Sequence, residues 1–121
     1  MNSTQTRLIV SALVAVAVLT VAAWATAATA TKLVATVGPG PTISVTKGGK
    51  KVTSLKPGRY SITVRDRSNF HNFHLTGPGV NRKTTVPEVR TRAWTLTFRR
   101  GTYRFVCDPH RLDMKGSFRV R

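Results

Sequence analysis

Polar and apolar positions alternate through most of the chain after residue 30. In RYSITVRD (59–66) Tyr60, Ile62 and Val64 alternate with Ser61, Thr63 and Arg65. A repeat of two is that of a strand with one buried and one wet face. TRAWTLTF (91–98) repeats it with Trp94, Leu96 and Phe98, TYRFVC (102–107) with Tyr103, Phe105 and Cys107, and GSFRV (116–120) with Phe118 and Val120. KLVATV (32–37), TISVTK (42–47) and KVTSL (51–55) are shorter runs, set apart by GPGP and KGGK. GPGVNRKTTVPEVR (77–90) is the least regular stretch and predicts a loop holding a short strand. No segment keeps a helical repeat over three turns, and there is no internal repeat. Short strands punctuated by Gly and Pro predict an all-β, two-sheet sandwich.

The first 30 residues read differently. MNSTQTR carries one cation, Arg7. The run that follows is apolar apart from Ser11 and Thr20, and WATAATA ends in Ala-x-Ala sites at Ala27 and Ala30. A basic start, an apolar run and a small-residue end predict a secretory signal cleaved after Ala27 or Ala30. The competing reading is an uncleaved membrane anchor. Either way residues 31–121 form the domain, and the protein is exported to the periplasm, cell envelope or extracellular space.

Charge and cysteine content narrow the class. The formal charge is +16, from 20 Lys and Arg against 4 Asp and Glu. Losing residues 1–30 removes only Arg7, leaving +15. Such a field attracts acidic partners. The cations are scattered rather than clustered, which with export argues against nucleic acid and for an acidic redox protein or an anionic envelope surface. A charge this high also keeps a monomer soluble. The single cysteine, Cys107, cannot form an internal disulfide, so stability must come from packing, a metal or both.

Cys107 stands in FVCDPHRLDM (105–114), with His110 three positions on and Met114 four beyond that. Asp108 and Pro109 bring the chain round, and Pro109, with fixed φ and no N–H, stiffens the connection. A second cluster, FHNFHL (70–75), holds His71 and His74. A lone cysteine is commonly just a small buried hydrophobe. A thiolate, imidazoles and a thioether together are a soft donor set, and a trigonal His₂Cys site with a weak axial Met is the arrangement of electron-transfer copper. His71 and His74 are three apart, so on one strand they face opposite ways and only one can point at Cys107.

These motifs resemble those of the cupredoxins, small blue (type 1) copper proteins of the plastocyanin and amicyanin kind. Cys107-Asp108-Pro109-His110 is similar to the family's Cys-x-Pro-His. His71-Asn72-Phe73-His74 is similar to its His-Asn, in the form His-Asn-x-His. GTYRFVC (101–107) is similar to the strand leading to the cysteine. Three residues separate His110 from Met114, where plastocyanins usually have four and amicyanins two. The resemblance covers the region from 31 to 121. It implies a Greek-key β-sandwich of about 7–8 strands and one copper ion held by His71, Cys107, His110 and Met114. It also implies that Asn72 ties the two loops together. The function implied is one-electron transfer without enzymatic turnover, with copper delivery as the alternative. A zinc site is a weaker reading, because methionine is a poor zinc ligand. Arg82, Lys83, Arg111 and Lys115 are the cations expected to dock a partner beside the loops.

Overall fold

The computed structural model describes Val18 and residues 20–121. Most of the apolar run of the expected signal segment, and Arg7 before it, lie outside the described residues. Ten strands follow. They are β1 (Thr31–Val37), β2 (Ile43–Lys47), β3 (Lys50–Lys51), β4 (Ser54–Leu55), β5 (Gly58–Asp66), β6 (His74–Gly77), β7 (Val80–Lys83), β8 (Arg90–Phe98), β9 (Gly101–Val106) and β10 (Lys115–Val120). Eight have four residues or more, and β3 and β4 have two each. They form two five-stranded sheets, ordered β3-β2-β1-β5-β8 and β4-β10-β9-β6-β7. Among the described residues no helix is long and apolar enough to cross a membrane.

The alternation read from the sequence sets the faces. Tyr60, Ile62 and Val64 of β5 and Trp94, Leu96 and Phe98 of β8 are buried, while their neighbours in sequence are not. Antiparallel register places Ile62 opposite Trp94 and Tyr60 opposite Leu96, so both strands drive their apolar side chains the same way. The facing sheet answers with Leu75, Tyr103, Phe105, Phe118 and Val120, all buried. Tyr103 and Phe118 stack with centroids 5.4 Å apart, and Phe98 packs edge-on to Phe118 at the same distance. The Tyr103 hydroxyl donates to the Pro78 carbonyl (2.9 Å) and accepts from the Arg99 N–H (3.0 Å), which ties two turns to the core.

KVTSL, expected as one strand, is divided between the sheets. Lys50–Lys51 pairs with β2, whereas Ser54–Leu55 pairs with β10. The crossing is made at Val52 and Thr53. The Val52 N–H bonds to the Val45 carbonyl, and the Arg119 N–H bonds to the Thr53 carbonyl. The alternation breaks at this crossing, since Val52 and Leu55 are buried while Thr53 and Ser54 between them are exposed.

β10 carries a glycine where a side chain would meet the core. Gly116 is paired with Phe105 across the ladder, and a Cβ there would run into the Phe105 ring. We expect Gly116→Ala to cost about 1–3 kcal/mol, the range for overpacking a filled interior. In a domain of this size that lowers Tm by roughly 5–20 °C. Thermal unfolding followed by far-UV circular dichroism measures it, and an unchanged Tm would show that the Phe105 ring moves aside freely.

Candidate metal centre

At one end of the sandwich the β5–β6 connection meets the loop between β9 and β10. Phe105 and Cys107 share the inward face of the β9 run, so the thiol enters the end of the core and is fully buried. A short 3-10 turn, Asp108–His110, follows, with Pro109 inside it. The loop closes on its own backbone. The His110 N–H donates to the Cys107 carbonyl (3.0 Å), the Met114 N–H to the His110 carbonyl (2.9 Å), and the Cys107 N–H to the Met114 carbonyl (3.0 Å). Met114 is thereby held beside Cys107 with its side chain buried.

His71 arrives from the other connection. Residues 71–73 were expected on the strand that ends in Leu75. They are outside any strand, and β6 begins only at His74. His71, Asn72 and Phe73 are all buried, so the alternation fails here. The reason is that no strand pairs with the segment; Thr84, itself outside any strand, holds Phe73 through its N–H, which donates to the Phe73 carbonyl (3.0 Å), and through its side chain. The Phe73 N–H donates to Thr84 Oγ1 (2.9 Å), and the Thr84 hydroxyl donates to the Asp66 carboxylate (2.6 Å). Gly38, at the end of β1, lets this segment sit close. Its φ is +70°, and a Cβ there would stand 2.7 Å from Ser68 Cβ and 3.5 Å from His71 Cδ2.

Three donor atoms converge. His71 Nδ1 lies 3.1 Å from His110 Nδ1 and 3.7 Å from Cys107 Sγ, and His110 Nδ1 lies 3.5 Å from the same sulfur. The point equidistant from all three is about 2 Å from each, close to the bond length of an imidazole nitrogen to a first-row divalent ion. Among the described residues, His71, Cys107 and His110 form the group that could hold one metal ion. The soft sulfur beside two imidazoles fits copper. His71 is 8% exposed, whereas His110 opens to solvent.

The surrounding bonds fix the two loops to each other. Asn72 accepts from the Asp108 N–H (2.7 Å). Its amide donates to Asp108 Oδ2 (2.9 Å) and to the Thr84 carbonyl (3.2 Å). His74 turns away from the sulfur. Its Nδ1 meets Asp108 Oδ1 at 2.9 Å and its Nε2 meets Asn81 Oδ1 at 2.7 Å. Partial burial pushes the Asp108 carboxyl upward, but bonds from His74, Asn72 and Arg111 outweigh it and bring the pKa down to about 2. Asp66 moves the other way, raised by burial against the opposing effect of the Thr84 hydroxyl.

The remaining residues singled out from the sequence divide. Pro109 lies in the 3-10 turn as read. Arg82 lies over Trp94 with its guanidinium carbon 5.2 Å from the ring centroid. Arg111 pairs with Asp108 at 3.2 Å. Lys83 and Lys115 are exposed. Sequence reading missed Asp66 and Thr84, and it treated Asp108 only as a turn residue. The one local signal was the Asn72-x-His74 spacing beside an acidic residue next to Cys107.

A sandwich of this topology is the cupredoxin fold, that of blue copper proteins, and in this chain it carries a His–Cys–His cluster at one end. Among solved structures it is similar to rusticyanin from Thiobacillus ferrooxidans, at 26% identity over 74% of this chain and 76% of that one, with TM-score 0.51. Another structure of the copper protein rusticyanin is 20% identical over the same shares, with TM-score 0.55. A chain of a heme-copper terminal oxidase dimer is 18% identical over 74% of this chain and 63% of that one, with TM-score 0.52. No protein-family model matches the chain, and no curated protein matches it.

Proposed function

We propose that the protein is an exported one-electron carrier in which His71, Cys107 and His110, with the Met114 thioether as a further donor, would hold a single copper ion. The observation that carries this reading is the triangle of two imidazole nitrogens and one sulfur, whose centre suits one ion. Bound there, copper would supply the Cu(II)/Cu(I) couple. The chain's own part is to hold one geometry through both oxidation states. Burial of Cys107, His71 and Met114 keeps water from three sides, and the Asn72 and Asp108 bonds stop the loops from spreading. His110, on the exposed side, is the route by which the electron enters and leaves.

This reading includes no enzymatic turnover, and a monomeric domain from 31 to 121, either freed by cleavage after Ala27 or Ala30 or held by the uncleaved segment. An acidic redox protein is the natural partner for so basic a chain. Of the four cations expected to dock it, Lys83 and Lys115 are the better placed, since Arg82 covers Trp94 and Arg111 neutralises Asp108.

The test is the absorption spectrum of protein loaded with one equivalent of copper. An intense thiolate-to-copper band toward the red, bleached by one electron and restored by one-electron oxidation, is expected. A colourless Cu(I) form that resists oxidation would replace this reading with copper delivery.

A further inference from the structure

The strands run from one end of the sandwich to the other, and the charges are divided unequally between those ends. All four acidic residues lie at the end that holds Cys107. Asp66 closes β5, Glu88 precedes β8 and pairs with Arg90 and Arg92, and Asp108 and Asp113 belong to the loop. The opposite end has no acidic residue at all. There a cleft of about 750 Å³ opens between the start of β1, the β4–β5 turn and the end of β10, and four cations line it: Lys47, Lys56, Arg59 and Arg121. Parts of its wall are held in place. The Tyr60 hydroxyl donates to the Lys56 carbonyl at 2.7 Å, and Arg121 Nε donates to Ser54 Oγ at 3.2 Å.

We propose that this cleft and its cationic rim are a docking surface for an anionic lipid bilayer, and that the protein sits on the membrane with its Cys–His end facing away. Charge complementarity is one ground, since clustered cations without an opposing acid are attracted to anionic headgroups within a Debye length. The course of the chain is the second. Ala28, Thr29 and Ala30 line the cleft, so the segment that precedes β1 departs from this end. Its described large apolar side chains Val18, Val21 and Trp24 are 78%, 91% and 90% exposed, with nothing in the domain to cover them. A basic patch beside an apolar segment gives two attachments at one place, and two are what stable membrane binding takes. If cleavage removes the segment, the cations remain and the attachment becomes peripheral and sensitive to salt.

The geometry has a use. β5 has nine residues and reaches from the cleft to Asp66, which spans about 27 Å. A bilayer at one end therefore leaves the His110 face open to a partner. Nothing in this inference requires the metal.

Flotation of the full chain with vesicles tests it. Neutral phosphatidylcholine vesicles measure what the apolar segment contributes. Vesicles with a third of the lipid replaced by phosphatidylglycerol add the headgroup charge. The quantity read is the ratio of the two partition coefficients at equal salt. Each cation near the surface contributes about fivefold, so a ratio well above ten is expected. Lys56→Glu with Arg59→Glu should lower it by about 25-fold or more, while Lys83→Glu with Lys115→Glu at the other end should leave it within about twofold. If the first pair does not give a β-sheet circular dichroism spectrum, Lys56→Gln with Arg59→Gln carries the test. A ratio near one for the unaltered chain overturns the proposal. So does an equal loss from both pairs, which would mean that only total charge matters. Release by inorganic phosphate at constant ionic strength would make the cleft a phosphate site instead. Indifference to anionic vesicles together with retention on immobilised poly-glutamate would assign the surface to an acidic protein.

Discussion

Cys107→Ser is expected to abolish the thiolate-to-copper absorption completely and to leave a folded β-sandwich. The two effects separate because they rest on different residues. The absorption needs the sulfur, and a serine oxygen cannot supply the transition. The fold rests on the paired strands and on the cluster of Tyr103, Phe98, Phe105 and Phe118, none of which uses the thiol. Serine at this place stays within reach of two imidazole nitrogens, so its hydroxyl need not lose all hydrogen bonding. Apo-protein stability should therefore fall by about 1–2 kcal/mol at most, the cost of an imperfectly satisfied hydroxyl. Absorption of the copper-loaded variant and far-UV circular dichroism of the apo form measure the two effects. Colour that persists without the sulfur would remove the copper reading.

Asn72→Ala should produce the largest loss of stability among single changes near the site. The amide is buried and bonds to the Asp108 N–H, the Asp108 carboxylate and the Thr84 carbonyl. Alanine leaves a buried carbonyl without this donor and a loop N–H without its acceptor. Each costs about 1–3 kcal/mol, and a total of about 2–4 kcal/mol is expected. Tm should fall by about 10–25 °C on that basis. Urea titration of the apo forms, wild type against variant, decides it. A loss below about 1 kcal/mol would mean that water replaces the amide and that the loops are not joined through Asn72.

The strands were legible because each reports itself. Ile62 and Val64 need no knowledge of Trp94 to announce a two-residue repeat. Cys107, His110 and Met114 were legible for a similar reason, being eight residues of continuous chain, and the His-Asn pair carried the fourth position through resemblance. What escaped was set by distant partners. Thr84 meets Asp66 across 18 positions, and His74 meets Asp108 across 34. No local pattern in either segment marks those contacts. The division of KVTSL between two sheets left one local trace, the three-residue step from Val52 to Leu55, but its partners Val45 and Arg119 are distant in sequence. The burial of His71, Asn72 and Phe73 together shows the limit of alternation. Where a single residue such as Thr84 holds the backbone in place of a ladder, the repeat of two no longer applies.

The β9–β10 loop fastens its ends to each other through Cys107 and Met114, and only Arg111, Leu112 and Asp113 lie between the last two of its possible donors, all three of them exposed. A protein built this way can gain or lose a residue in that stretch without disturbing a strand. The sheets would be inherited unchanged while the reach of the sulfur ether is reset. Under mutation, then, the loop behaves as a separable cassette, free to vary in length over a sandwich that is not. The three-residue spacing between His110 and Met114 is one setting of that variable. Lengthening or shortening it is the smallest change by which descendants of this chain could acquire a different metal preference or redox poise.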